Sequence, residues 1–317
     1  MISVICPVFN ESSYIKKVID FYINALPIEK ELFVIDGNST DNTCEIVKQY
    51  IIKNTTIHLL HNPKRTVPYA LNMAIEKAKG EIIIRLDAHT DYASDYFEKI
   101  LSVFKNTNAD IVGGPMRIAK GNTIQNAIGY ATTTVFGIGN SSFHFEDFEG
   151  FTDSVYLGAW KKNIFSKTGL FDVDLKRNQD DEFHYRAKSF GFKVYQHPEI
   201  KLYYHPRDTF YSLFKQYYQY GLYKPLVLKK IKSAMRLRHL VPSIFVLYLI
   251  SLCVLFFIPF YYAIIPFLFY IIGDLYFSLR SKKELSEILA ISVVYPILHI
   301  SYGIGFMLGL TKKRVQK

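Results

Sequence analysis

Short apolar runs alternate with helix-patterned stretches from the first residue onward. Ile2 to Pro7 reads as a buried strand, and Asn10-Glu11-Ser12 then opens a helix with Ile15, Val18, Ile19, Tyr22 and Leu26 at helical spacing. Glu31 to Asp36 is a second strand, followed by the turn-rich Gly37-Asn38-Ser39-Thr40-Asp41 and a helix carrying Ile46, Val47 and Tyr50. Thr56 to Leu60 gives a third strand, Pro68 to Ala78 a helix that Gly80 stops, and Glu81 to Leu86 a fourth strand. Strands alternating with helices predict an α/β fold, a mostly parallel sheet with right-handed crossovers and helices on both faces. Ligands in such sheets bind at the carboxyl ends of the strands, where Pro7, Asn10, Asp36 and Asp87 fall.

Beyond this region, Val112 to Met116 reads as a strand end or turn. Gly121 to Gly139 reads as a helix followed by a mobile loop, and Gly139 to Gly150 as a flexible stretch on the acceptor side or simply a disordered one. Val155 to Trp160 is a further strand, and Trp160, the only tryptophan, is expected in the core. The pattern changes after Leu240. Leu240 to Ile258 and Phe260 to Leu279 are each long enough to span a bilayer, with Pro259 between them and Asp274 as a costly exception. Leu285 to Leu310 is a third run, interrupted by Pro296, Gly303, Gly305 and Gly309, for which a re-entrant or interfacial course is the alternative to a span.

Composition sharpens this picture. Half of the 317 residues are hydrophobic and 16% are aromatic. The net charge of +10 is concentrated at Lys224, Lys229, Lys230, Lys232, Arg236 and Arg238, and again at Lys312, Lys313, Arg314 and Lys317. Basic residues beside apolar spans mark the cytoplasmic side and meet anionic lipid, so a membrane is expected as a partner and nucleic acid is not. Cys6, Cys44 and Cys253 lack the spacing of a disulfide framework or a zinc site, which fits a reducing compartment. No basic n-region or cleavage site precedes Ile2, so no cleaved signal peptide is expected. No Gly-x-Gly-x-x-Gly follows the first strand and no Gly-Lys-Ser/Thr loop is present, which disfavours a dinucleotide dehydrogenase and a P-loop NTPase.

The candidate chemistry lies at two places. Ile82 to Leu86 ends in Asp87-Ala88-His89, a carboxylate and an imidazole suited to a metal-bound diphosphate; a turn residue before a helix is the bland alternative. Asp36 can accept from a base or ribose, or cap its own turn, and Arg65 can reach a pyrophosphate, or face solvent. In Asn178-Gln179-Asp180-Asp181-Glu182, three acids open a helix. They either complement its dipole or include a general base for an acceptor hydroxyl.

Several of these segments together resemble one family. Ile5-Cys6-Pro7-Val8-Phe9-Asn10-Glu11, Val34 to Thr43, Ala70-Leu71-Asn72 before Gly80, and Leu86-Asp87-Ala88-His89 are similar to the family 2 nucleotide-sugar glycosyltransferases of GT-A fold. Within it the chain looks most like bacterial glucosyltransferases of succinoglycan-type exopolysaccharide assembly. The resemblance implies a metal-dependent, inverting transfer from a nucleotide sugar, taken as a UDP-sugar, to a saccharide on a polyprenyl diphosphate. It implies donor binding by Pro7, Phe9, Asn10, Glu11, Asp36, Arg65, Asn72, Asp87 and Ala88, with Mn²⁺ or Mg²⁺ at Asp87 and His89 and His205 as a third contact. The family's acidic motif, anchored on Arg186, places the base at Asp180, with Asp181 as the fallback because Gln179 departs from the usual Glu. Glu182 and Trp160 are assigned to the acceptor side. Because an imidazole replaces the second carboxylate at His89, Mn²⁺ is expected to serve at least as well as Mg²⁺. Gln216 to Gly221 lacks the full Gln-x-x-Arg-Trp pattern of processive synthases, so one sugar is transferred per event.

The expected organisation is a cytoplasmic catalytic domain over 1–206, amphipathic interface helices over 207–239, hydrophobic membrane segments over 240–310 and a basic tail over 311–317. Two other functions stay open: a polyprenyl-phosphate sugar synthase of the same fold, and an inactive membrane scaffold that binds a nucleotide sugar.

Overall fold

The computed structural model describes residues 1–140, 142–254 and 260–312. Expectations for Pro259, Lys313, Arg314 and Lys317 lie outside these residues. The chain forms two compact units, Met1–Arg117 with Ser142–Tyr204, and Ile118–Ser141 with His205–Lys317. The segment 118–141, expected within the first domain, thus belongs to the second unit.

The first unit opens with β1 (Ile2–Val8), α1 (Ile15–Asn24), β2 (Lys30–Asp36), α2 (Thr43–Lys53), β3 (Ile57–His61), α3 (Val67–Lys77) and β4 (Ile82–Arg85). It continues through β5 (Thr90–Tyr92), α4 (Tyr96–Asn106), β6 (Ile111–Gly114) and β7 (Met116–Ile118). The second unit begins with α5 (Thr123–Ala131) and α6 (Val135–Ile138), so the loop expected before Gly139 contains a short helix. The first unit resumes with β8 (Gly150–Phe151), β9 (Tyr156–Lys161), α7 (Ile164–Thr168), α8 (Gln179–Ser189), β10 (Val194–Gln196) and β11 (Leu202–Tyr204).

An eight-stranded sheet runs β3-β2-β1-β4-β9-β6-β10-β8, and a small sheet runs β5-β11-β7. β1, β2, β3 and β4 are parallel, whereas β9 enters antiparallel between β4 and β6. The register aligns the strand ends, with Val8 opposite Asp36 and Asp36 opposite His61. Both faces of the sheet are covered. Val4, Cys6, Val8 and Ile84 join Ile15, Val18 and Tyr22 of α1 in one core. Ile5, Ile35 and Ile83 join Leu71 and Ala74 of α3 and Phe183 of α8 in the other. Leu26, expected in the first helix, lies beyond its end and is 49% exposed, because the chain turns into Pro27.

The second unit continues through α9 (Phe210–Lys230), α10 (Val241–Val254), α11 (Phe260–Arg280) and α12 (Leu285–Thr311). Pro296 and the glycines do not break α12, which runs through all of them. The glycines instead let helices touch. A Cβ at Gly305 would lie 2.1 Å from Tyr218 O, and one at Gly309 2.5 Å from Leu222 O, both on α9. On the α9 side, a Cβ at Gly221 would lie 2.2 Å from Tyr302 O. Among the described residues α12 is the one helix long and apolar enough to cross a membrane by length and composition. Lys224, expected among the lipid-facing cations, is buried in α9, while Lys229 Nζ donates to the terminal carbonyls Leu310 O and Lys312 O.

Candidate active site

A single buried cation organises the site. β4 is apolar from Ile82 to Ile84 and charged at Arg85, which is 6% exposed. Alternation along the strand puts Arg85 on the face of Ile83, the face on which α8 packs through Phe183 and Ala187. The guanidinium therefore reaches the first turn of α8. Its Nε donates to Asp87 Oδ1 at 3.0 Å, its Nη2 to Asp87 Oδ2 at 3.2 Å, and its Nη1 to Asp180 Oδ2 at 2.6 Å. Burial works against this charge, but the Asp180 and Asp87 carboxylates outweigh it and hold the pKa above the ordinary arginine range. The two carboxylates, distant in sequence, are held by one planar fork. Sequence reasoning missed Arg85. The available signal was a charge inside an apolar strand, two residues before Asp87 and so on the same face.

The strand ends beside this pair are tightly tied. Asn10 after β1, Asn38 after β2 and Arg65 after β3 all adopt positive φ, at 56°, 66° and 55°. Non-glycine residues in this conformation collect where surrounding structure over-determines the backbone. Here the ties are visible. Asn10 N donates to Ser39 Oγ and Thr40 N to Asn10 Oδ1, both at 2.8 Å, and Glu11 N donates to Thr43 Oγ1 at 2.8 Å. Asp36, 4% exposed, accepts from Asn38 N and Ser39 N, so its carboxylate caps the turn. Phe9 and Arg65 are exposed, with the Arg65 guanidinium 6.0 Å from the Phe9 ring centre. Pro7 is half-buried beside them. Asn72 does not join this group: its amide exchanges two hydrogen bonds, 2.8 and 2.9 Å, with the Phe171 backbone. It ties α3 to the segment leading into α8.

After β4, Tyr92 OH holds the Asp87 peptide, accepting from its N–H at 2.7 Å and donating to its carbonyl. Ala88 is 8% exposed. His89 Nε2 lies 2.9 Å from Glu11 Oε1, and its ring meets Tyr14 edge-on. His205 belongs to the second unit. On α8, Asp180 is partly exposed and Asp181 is likewise at the surface edge. Glu182 is 3% exposed and forks to Arg186, 2.8 Å to Nε and 2.9 Å to Nη2, which in turn holds the carbonyls of Thr168 and Leu170. Trp160 is fully buried among Phe171, Phe183 and Phe165. Of the two residues expected on the acceptor side, Glu182 anchors Arg186 and Trp160 is packed in the core.

Among the described residues no three His, Cys, Asp or Glu side chains gather into a protein cage for a metal. The residues present still suit a cation that takes most of its oxygens from a diphosphate and water. Glu11 Oε2 is buried without a hydrogen-bond partner, next to the His89 contact. Glu11 and Asp87 both act on the buried Cys6 thiol, whose pKa is raised by burial first and by these two carboxylates next. An unpartnered Glu11 oxygen, the Asp87 carboxylate and the His89 imidazole therefore follow the ends of the neighbouring strands β1 and β4.

Comparison with known proteins identifies the frame. Residues 3–167, more than half of the chain, match the model described as glycosyl transferase family 2. The chain belongs to glycosyl transferase family 2. This family 2 glycosyltransferase is 28% identical to the succinoglycan biosynthesis protein ExoA of Rhizobium meliloti over 75% of its own length and 73% of that protein. It is 27% identical, over 98% of its length and 97% of the relative, to a dolichyl N-acetyl-alpha-D-glucosaminyl phosphate 3-beta-D-2,3-diacetamido-2,3-dideoxy-beta-D-glucuronosyltransferase of Methanococcus voltae. Its fold is GT-A-like. A mannosyltransferase of Pyrobaculum calidifontis, solved with GDP-Man and Mn²⁺, superposes with a TM-score of 0.67 at 19% identity, covering 93% of this chain and 86% of that one.

Proposed function

We propose that this family 2 enzyme transfers a sugar, with inversion, from a nucleotide sugar to a lipid-linked saccharide during assembly of a cell-envelope or exported polysaccharide. The observation that carries the proposal is the Arg85 fork, which places the end of β4 and the start of α8 at one point. Inverting transfer needs a base on the acceptor side and a group that stabilises the leaving diphosphate on the other. Asp87 lies where a donor diphosphate ends, and Asp180 is the carboxylate that receives the acceptor's proton. The donor lies over Pro7, Phe9, Asn10 and Arg65, with a UDP-sugar as the first candidate. Mn²⁺ or Mg²⁺ at Asp87 and His89, with Glu11 beside them, supplies Lewis-acid stabilisation of the departing diphosphate, worth several kcal/mol in general. Arg85 offsets part of the negative charge of Asp87 and Asp180 and holds both carboxylates in place. Asp181 stays the fallback base.

The second unit supports the lipid-linked part of the reading. Ile244, Leu247, Phe269, Ile272 and Leu289 on α10, α11 and α12 are exposed apolar side chains, and α12 has the length of a span. A protein attached to the bilayer by these helices, with its α/β unit in the cytoplasm, meets an acceptor carried on a polyprenyl diphosphate. The relative from Methanococcus voltae, named for a dolichyl phosphate-linked substrate, is consistent with this.

The test is transfer of radiolabelled sugar from a panel of nucleotide sugars to extracted lipid-linked acceptors, comparing the wild type with Asp180→Asn. Transfer by the wild type and a loss of about 100-fold or more in the variant is expected. Undiminished transfer by Asp180→Asn rules out Asp180 as the base.

A further inference from the structure

Four buried polar atoms on α8 and β9 lack a hydrogen-bond partner: Asp180 Oδ1, Gln179 Oε1 and His184 Nε2 on α8 and Trp160 Nε1 on β9. His184 and Trp160 are fully buried and Gln179 is 6% exposed. Asp180 and His184 are one turn apart on α8 and share a helix face. Gly158 marks where β9 joins them. A Cβ there would lie 3.1 Å from Trp160 Cε2, the carbon bonded to Nε1, and 3.3 Å from His184 Nε2. A buried polar group left unpaired is costly, so Asp180 Oδ1, His184 Nε2 and Trp160 Nε1 call for a shared partner.

Their chemistry specifies that partner. Trp160 Nε1–H can only donate, and the Asp180 carboxylate oxygen Oδ1 can only accept. One water can donate to Asp180 Oδ1 and accept from Trp160 Nε1–H and from His184, provided that His184 carries its proton on Nε2. The Ser154 hydroxyl lies 2.8 Å from His184 Nδ1 and can donate to it, the arrangement that leaves the proton on Nε2. Burial keeps the ring neutral by pushing its pKa down to about 4.

We propose that Trp160, His184 and Asp180 enclose one structural water, and that His184 acts through it as a positioning residue for the Asp180 carboxylate. The inference rests on the reading of Asp180 as the base. The water fixes Oδ1 from within and Arg85 fixes Oδ2 from the side, which leaves the outward lone pair of Oδ2 for the acceptor proton. Ser154, His184, the water, Asp180, Arg85 and Asp87 then form one connected chain.

The experiment combines kinetics and a structure of the full-length protein. In the transfer assay, His184→Leu lowers kcat by about tenfold or more with donor KM unchanged, and His184→Gln, whose amide N–H can replace Nε2–H, restores most of it. Equal losses in both variants, or losses confined to KM, overturn the proposal. If Asp180→Asn abolishes transfer while His184→Leu leaves kcat intact, this inference alone fails. If Asp180→Asn leaves transfer intact, the base reading fails and takes this inference with it. A high-resolution wild-type structure decides the matter even if His184→Leu does not fold. It is expected to hold a water within about 3.2 Å of both His184 Nε2 and Asp180 Oδ1, and direct contact of these atoms, or no water between them, overturns the proposal.

Discussion

Arg85 carries more of the site than any other side chain, because one guanidinium joins two carboxylates far apart in sequence, Asp87 and Asp180. Arg85→Ala leaves Asp87 and Asp180 facing each other with no cation between them. The expected loss is about 2–4 kcal/mol of stability, below the full cost of a broken buried pair because each carboxylate is 32% exposed. Arg85→Lys rescues little, since a point charge cannot span both partners as a fork does. Chemical denaturation of the three proteins checks this, and equal midpoints for the wild type and Arg85→Ala contradict it. His184 sets a pH dependence. Its pKa is about 4 in the folded protein against 6.5 in an unfolded chain, so the unfolded chain binds the proton first. The stability tied to the neutral ring is complete above pH about 6.5 and lost as pH falls toward 4, on the order of 3 kcal/mol. His184→Gln removes that slope from a plot of unfolding free energy against pH. Asp87 and Asp180 are legible in the sequence as strand-end and helix-start acids, but their meeting is not. It depends on which sheet face α8 covers, and that is settled by Phe183 and Ala187 packing on Ile83, a choice no local pattern encodes.

At the scale of elements, the strand–helix alternation through β4 follows from local periodicity, and the structure has it in that order. β9 does not. Its apolar run cannot state its neighbours or direction, and only the completed sheet places it antiparallel between β4 and β6. The glycines of α12 mislead in another way. Glycine lowers helix propensity by roughly 1 kcal/mol in isolation, yet here close approach of backbones outweighs it. Gly305→Leu is expected to force α9 and α12 apart and destabilise the protein by about 1–3 kcal/mol or more, seen as a lower unfolding temperature in detergent. An unchanged temperature contradicts the close packing of Gly305 on Tyr218. Gln179-Asp180-Asp181-Glu182 illustrates how one acidic stretch serves several ends: Asp180 pairs with Arg85, Glu182 with Arg186, and all three acids complement the start of α8.

At the scale of the whole molecule, a family 2 glycosyltransferase unit is joined to a helical unit rich in exposed apolar side chains. The discontinuity at 118–141 was invisible in the sequence, because α5 and α6 pack with α12 through Ile128, Ala131 and Tyr295 rather than with their chain neighbours. The central claim is that the ends of β1 to β4 bind a nucleotide sugar with Asp87 on the diphosphate side. Thermal unfolding of the purified protein with UDP-, GDP- and dTDP-sugars, in Mn²⁺ and in Mg²⁺, tests it most directly. At about 100 times its dissociation constant a bound donor adds roughly 2.7 kcal/mol. At least one nucleotide sugar should raise the unfolding temperature of the wild type and of Asp180→Asn but not of Asp87→Ala. No stabilisation of the wild type by any nucleotide sugar with either ion would contradict the claim.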